Sequence, residues 1–217
     1  MGTEAPLLPT LTVMLGLGLV TFAVVMSTSF IKIAVVLFIV RNAIGVQQTP
    51  PNIVLYGISL ALTVFVMTPV ASEMADRLAA IRLDMATVEG IRRAIEVGIE
   101  PVREFLVRLT TPEKRVFFLE ASVAMWPEPP EAAPADDAVH LLIPAFLTSE
   151  LQRAFEIGFL LYLPFIVIDL VVTTILMAMG MSMVTPTIIA TPMKLFLFVT
   201  VDGWTRLVEG LILSYAG

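Results

Sequence analysis

Residues 157–201 read IGFLLYLPFIVIDLVVTTILMAMGMSMVTPTIIATPMKLFLFVTV, an apolar stretch in which Asp169 and Lys194 are the only charges. A straight helix of this length would measure about 68 Å, more than twice the roughly 30 Å of a bilayer's hydrocarbon core. Glycine and proline interrupt helices, and Gly180, Pro186 and Pro192 are the candidates for a turn, which is expected between Gly180 and Pro186. The sequence therefore predicts a hairpin of two apolar helices.

The two charges inside this hairpin are expected to meet. Asp169 and Lys194 are 25 positions apart, and because the predicted turn lies midway, antiparallel helices would bring them to one depth within roughly 5 Å. This favours a salt bridge, either within the hairpin or to a neighbouring subunit. Lys32 is a third lone charge in an apolar stretch. We favour structural ion pairing for all three; a proton or ion relay and snorkelling to the membrane surface are the alternatives.

The composition is that of a membrane protein with one polar insert. Of the 217 residues, 58% are hydrophobic and only 15% charged, against about 25% charged in soluble domains. Residues 73–156 hold 15 acidic and 9 basic side chains, which accounts for the net charge of −6. We therefore predict an N-terminal hydrophobic helical hairpin (1–72), a polar, mostly helical insert (73–156) and a C-terminal hydrophobic helical hairpin (157–217). The acidic balance argues against nucleic-acid binding, and the lack of cysteine excludes disulfides.

The N-terminal hairpin begins with an over-long apolar run. Leu11–Ile31 carries no charge and is long enough to span a bilayer, and apolar residues continue past Lys32. We expect this helix to be bent, tilted or partly sheltered by protein. It lacks a preceding basic region, so we expect it to be retained rather than cleaved as a signal peptide. A polar turn at 41–52 and a second uncharged run at 53–71 follow, with Pro69 marking the exit.

The insert is expected to contain amphipathic helices. Apolar residues recur at three- and four-residue steps from Val88 to Leu106, the spacing of a helix with one buried face. Pro101 should break or kink this helix, and a second helix is expected to start at Pro112. Residues 126–137 (WPEPPEAAPADD) are acidic and proline-rich and predict a mobile linker.

Methionines alternate around the predicted turn of the C-terminal hairpin, at positions 177, 179, 181 and 183. Methionine is flexible and adapts to irregular or changing surfaces. Two interpretations remain open from the residues themselves. The methionines either fill a membrane core, or they form a soft constriction that closes a pore and yields to a passing chain.

The residues do not indicate an enzyme. Asp169 and Asp202 could suggest an aspartyl-protease pair, but such a pair must share a proton at close range, and Asp169 has a lysine expected at its own depth. No HExxH or GxSxG motif is present. We therefore expect neither catalysis nor a cofactor.

Several motifs together resemble one bacterial secretion family. They are Arg41–Gly45, Gln47–Asn52 and Phe65–Pro69 in the first half, and Ile143–Phe146, Ser149–Leu151, Ala154–Phe155, Ile157–Phe159, Pro164–Phe165 with Asp169, Gly180–Met183, Pro192–Lys194 and Asp202–Trp204 in the second. The chain resembles the type III secretion export apparatus family SctR (YscR/HrcR/SpaP), whose flagellar relative is FliP. The resemblance covers nearly the whole chain and is weakest across residues 73–140. The start of the chain close to its first helix favours the virulence-associated branch.

The resemblance implies an all-helical, pentameric ring in the bacterial inner membrane that projects to the periplasmic side, with the insert facing the periplasm. Members build an export gate with SctS/FliQ-type and SctT/FliR-type subunits and conduct unfolded secreted proteins. By position, Met181 and Met183 would form the gasket of the closed pore, with Ser182 departing from the longer methionine run of relatives. Asp169 and Lys194, with Lys32, would make intersubunit ion pairs. The alternative is an ion-coupled membrane transporter that uses Asp169 as its ion or proton site.

Overall fold

The described residues of the computed structural model are mostly helical. The structure describes residues 7–46, 48–81, 87–125, 137–181 and 183–216. Within these ranges it contains eight helices and no strand. The helices are α1 (Leu7–Met26), α2 (Phe30–Ile44), α3 (Asn52–Ala79), α4 (Val88–Leu109), α5 (Pro112–Met125), α6 (Val139–Ala178), α7 (Pro186–Thr200) and α8 (Gly203–Leu213). The predicted all-helical fold is confirmed, and most of the predicted linker, residues 126–136, lies outside the described residues.

The over-long first apolar run is bent, as expected. Its two halves, α1 and α2, meet at an angle of 67°. At the bend, the hydroxyls of Ser27 and Thr28 donate to the carbonyls of Ala23 and Val25, and such local bonds compete with the regular helical ladder. Most described side chains of α1 are exposed, whereas α2 is largely buried against α6 and α3. Only the second half of the run is sheltered by protein.

Helices α3 and α6 are long and apolar enough to cross a membrane, and α1 with α2 could form a third span if the bent pair is counted as one. Helix α3 continues for ten residues beyond Pro69, so this proline does not end the helix, and the exit of the apolar run that it was expected to mark stays a prediction. A proline removes only one helical hydrogen bond, and the surrounding turns keep theirs. Both predicted segment boundaries, at 72/73 and 156/157, fall inside single helices. The division into three segments therefore describes the composition of the chain and not its helices. The placement of the insert (73–156) in the periplasm stays a prediction.

Hydrogen bonds from Arg41 stabilise the turn between α2 and α3. Helix α2 ends at Ile44 before Gly45, which adopts φ +82°, a left-handed conformation that suits glycine. The Arg41 guanidinium donates to Asn52 Oδ1 at 2.6 Å and to the carbonyl of Pro50 at 3.2 Å. The predicted polar turn is confirmed for the described residues between Gly45 and Pro51, whereas residues 41–44 belong to α2 and Asn52 begins α3.

The core surrounds α2 and the first half of α6. Leu37 and Val40 of α2 are buried with Leu106 of α4 and Phe146 of α6. The predicted amphipathic helix is therefore confirmed in its second half. Its first half is not packed, since Val88 is 85% exposed and Ile91 and Ile95 are also exposed.

Of the break or kink expected at Pro101, the break does not occur. Helix α4 runs unbroken through this proline, which is buried. Its second half packs against α6, and Gly98 on the preceding turn faces Leu78 of α3. Packing on both sides of the proline outweighs the single lost hydrogen bond. The helix start predicted at Pro112 is confirmed by α5.

Candidate functional site: two ion pairs and a methionine turn

The C-terminal hairpin forms as predicted and brings Asp169 and Lys194 together. Helix α6 ends at Ala178 and α7 begins at Pro186. Lys194 Nζ lies 2.6 Å from Asp169 Oδ2, so the salt bridge within the hairpin is confirmed. The lysine side chain is 6% exposed, whereas 42% of the Asp169 side chain is exposed. The carboxylate therefore keeps an open side after binding its own lysine.

The end of α2 closes over the lysine of this pair. A Cβ built on Gly45 would lie 3.8 Å from Lys194 Nζ and 3.3 Å from Thr191 Oγ1. Glycine thus lets the α2–α3 turn approach α7 closely. The ion pair joins the hairpin, and the turn that follows α2 covers it. Pairing of Asp169 with Lys194 between subunits stays a prediction.

Lys32 is not near this pair but has a carboxylate of its own. Its Nζ lies 3.3 Å from Glu150 Oε2, and both side chains are 1% exposed. Glu150 is in the first half of α6, 118 positions away along the chain. The interpretation of Lys32 as a structurally paired charge is supported by a partner that we did not predict.

Two further residues complete the surroundings of Glu150. The Tyr215 hydroxyl donates to Glu150 Oε2, and the ring of Tyr215 lies over Lys32, with Nζ 3.5 Å from the ring centroid. Arg153 Nη1 donates to Glu150 Oε1 at 3.2 Å and to the carbonyl of Leu109 at 2.8 Å. We call Lys32, Glu150, Arg153 and Tyr215 the Glu150 cluster.

The Glu150 cluster is a satisfied polar network in an apolar core. Burial, reinforced by the nearby Glu150 carboxylate, raises the pKa of Tyr215 above its usual value, so the hydroxyl stays protonated and acts as a donor. A carboxylate that accepts from an ammonium, a guanidinium and a phenol holds its charge at low cost. The cluster ties α2, α6, the end of α4 and the C-terminal residues to one another.

Sequence reasoning missed Glu150 because it was counted with the charges of the polar insert. A signal was nevertheless present. Leu142, Phe146, Ser149 and Ala154 recur at helical spacing on one face of α6, and all are buried. Glu150 belongs to the same face, so its position already marked it as a buried acid needing a cation.

The methionine turn is the connection between α6 and α7 that carries Met179, Met181 and Met183. In this turn, a glycine in the left-handed conformation follows the end of α6. Gly180 has φ +72°, its N–H donates to the carbonyl of Met177, and the N–H of Met181 donates to the carbonyl of Leu176. This pair of bonds is the Schellman arrangement that closes many helices. The side chains of Met181 and Met183 are 42% and 98% exposed, so both present surface to solvent or to a partner. Ser182 lies outside the described residues.

Each aspartate of the rejected protease pair has its own role. Asp169 binds Lys194, and Asp202 begins α8 with φ +52° and accepts from Thr205 Oγ1 at 3.0 Å. Within the described ranges there is no group of His, Cys, Asp or Glu side chains that could hold a metal ion.

Residues 13–211 match the FliP family. The chain belongs to the FliP family. It is 56% identical to the "Probable translocation protein y4yL" of Sinorhizobium fredii, over 98% of this chain and 96% of that protein. It is 48% identical to the "Yop proteins translocation protein R" of Yersinia pestis over 89% of each, and 44% identical to the "Flagellar biosynthetic protein FliP" of Pectobacterium carotovorum over 95% of this chain and 78% of that protein.

Family membership confirms the resemblance found in the motifs. Proteins of the FliP family are transport components and not enzymes. In this FliP-family protein the described helices include two or three candidate membrane spans, which agrees with a membrane component.

Proposed function

We propose that this FliP-family protein is a core subunit of a type III secretion export gate, an oligomeric pore that conducts unfolded proteins across the bacterial inner membrane. The observation that carries the proposal is similarity over nearly the whole chain to relatives named for translocation and secretion. The exposed apolar side chains of α1, α3, α6 and α7 support it, because such surfaces need lipid or partner subunits around them.

The proposed assembly is a pentamer that binds SctS/FliQ-type and SctT/FliR-type subunits and projects to the periplasmic side. Particle imaging of the purified protein with its partner subunits tests this directly. We expect a five-fold ring of this chain around a central opening. A monomer, or a ring without a central path, would contradict the proposal.

Within this gate, we propose that Met181 and Met183 form the gasket. Both side chains are exposed at the turn, Met183 almost completely, and thioether side chains can close against one another and yield to a passing peptide. Replacing both with alanine should raise ion conductance through the reconstituted gate. Met125→Ala is the matched control, since Met125 is also highly exposed but ends α5 rather than lying in the turn. Unchanged conductance in the double variant would count against the gasket.

We also propose that the Asp169–Lys194 pair lies at the contact between neighbouring copies, with the open side of Asp169 turned toward the adjoining hairpin. The chain has no cysteine, so the variant Asp169→Cys with Lys194→Cys can be oxidised on a clean background. Pairing between copies should produce a ladder of crosslinked oligomers on a non-reducing gel. Crosslinking confined to single chains would limit the pair to its own hairpin.

An intersubunit role of Lys32 stays a prediction with less support, because its own chain covers the ammonium almost completely. The ion-coupled transporter is not favoured either. An ion-binding carboxylate must be free to take its ion, and Asp169 already binds Lys194 at 2.6 Å. Uptake of a cation by the chain without any partner subunit would reverse this preference.

A further inference from the structure

An apolar cavity separates α8 from the hairpin. Its volume is about 460 Å³, and it is lined by α6 and α7, by the corner at Val201–Gly203, by α8 and by Val40 at the end of α2. Phe165, Phe198 and Leu207 form buried parts of its wall. It lies apart from the Glu150 cluster and from the methionine turn, and the export function proposed above does not use it.

The wall of the cavity suits a hydrocarbon and not water. Apart from the Arg206 side chain, its lining residues have hydrocarbon or aromatic side chains or are glycines. An apolar cavity of about 150 Å³ stays dry and takes up benzene, and this cavity is about three times larger. An elongated apolar ligand would recover the dispersion contacts that an empty space of this size loses.

Arg206 gives the cavity a polar end. This side chain is exposed and lines the cavity. Among the described residues, no salt bridge pairs its guanidinium with a carboxylate. A guanidinium pairs with phosphate through two parallel hydrogen bonds. Trp204 lies two positions earlier in α8, and tryptophan is common where proteins meet the lipid headgroups.

We propose that this cavity binds one acyl chain of an anionic phospholipid, whose phosphate pairs with Arg206. Charge complementarity at one end and an apolar wall at the other select an anionic amphiphile. The lipid would fill the space between α8 and the hairpin, and so would support the helix that leads to the C-terminal Tyr215.

The structure offers a variant that fills the cavity without disturbing the fold. Gly210 lines the cavity, and a Cβ built on it meets nothing within 4 Å. Gly210→Leu should therefore occupy the space of the acyl chain, and it also improves helix propensity. Gly57→Leu is the matched control, because a Cβ on Gly57 likewise meets nothing within 4 Å and Gly57 lies on exposed α3, away from the cavity.

The full chain is reconstituted in nanodiscs of phosphatidylcholine and phosphatidylglycerol in equal amounts, released into detergent, and examined by native mass spectrometry for retained lipid. Wild type and Gly57→Leu should retain phosphatidylglycerol. Arg206→Gln should lower its retention about tenfold, as expected for the loss of a bidentate charged hydrogen bond. Gly210→Leu should abolish retention of both lipids.

Three results would overturn the proposal. One is equal lipid retention by wild type, Arg206→Gln and Gly210→Leu. Another is that the wild-type protein retains phosphatidylcholine and phosphatidylglycerol equally, which would show that the cavity does not select an anionic headgroup. The third is found in the assembled gate: a photoactivatable phosphatidylglycerol that labels the partner subunits but not α8 would show that protein fills the cavity. The readout is bound lipid, so it is independent of whether export occurs.

Discussion

Removing Glu150 should destabilise the protein more than removing the lysine that it pairs with. Both side chains of this pair are 1% exposed, but their other partners differ. Without Glu150, the Lys32 ammonium keeps the ring of Tyr215 beside it but has no carboxylate partner among the described residues. Leaving one buried charge without its counter-ion costs about 3–5 kcal/mol, and this is the loss that we expect for Glu150→Met.

The reverse substitution, Lys32→Met, leaves a carboxylate that is still well satisfied. Glu150 keeps the guanidinium of Arg153 at 3.2 Å and the hydroxyl of Tyr215. The expected loss is then about 1.5–3 kcal/mol, the contribution of one hydrogen bond to a charged group. In the double variant no bare lysine remains, and Arg153, whose side chain is 35% exposed, can turn to water. The double variant should therefore be more stable than Glu150→Met alone.

The measurement is the free energy of unfolding of the full chain in detergent micelles, from equilibrium titration with a denaturing detergent. All three variants use the same replacement side chain, so differences in packing are small. The reasoning is refuted if Lys32→Met is as destabilised as Glu150→Met. It is also refuted if the double variant recovers nothing relative to Glu150→Met.

Two further predictions concern the C-terminal region. Tyr215→Phe removes one donor to Glu150 but keeps the ring over Lys32, so it should cost about 1.5–3 kcal/mol in the same titration; a loss as small as that of an exposed Tyr56→Phe control would contradict the role of the hydroxyl. Gly203→Ala should also destabilise, by about 1–3 kcal/mol, because the new Cβ would lie 2.4 Å from the ring of Phe198. Gly210→Ala in the same helix has open space and should be neutral or stabilising; equal thermal stability of the two glycine variants would contradict the clash.

Local features of this protein followed from sequence. The length of the 157–201 run required a turn, Gly180 could adopt the left-handed conformation that the turn needed, and equal spacing from that turn brought Asp169 to Lys194. The same local chemistry started α5 at Pro112. Each of these depends on residues close in sequence or related by one hairpin, for which helix geometry is sufficient.

Expectations that depended on distant packing were less successful. Pro69 and Pro101 did not end their helices, because neighbouring turns and packed helices outweigh a single lost hydrogen bond. Val88, Ile91 and Ile95 follow the spacing of a buried stripe, yet all three are exposed. Periodicity identifies a face but does not supply a partner for it.

The sequence by itself determined that the chain is helical, that it belongs in a membrane, and that its lone charges need partners. Only the tertiary structure decided which partners they have. Asp169 and Lys194 are paired by their common turn, whereas Lys32, Glu150 and Tyr215 come from the beginning, the middle and the end of the chain. The physical reason is that a charge buried in an apolar core must find a counter-charge, but its position in the sequence does not say from which helix that counter-charge comes.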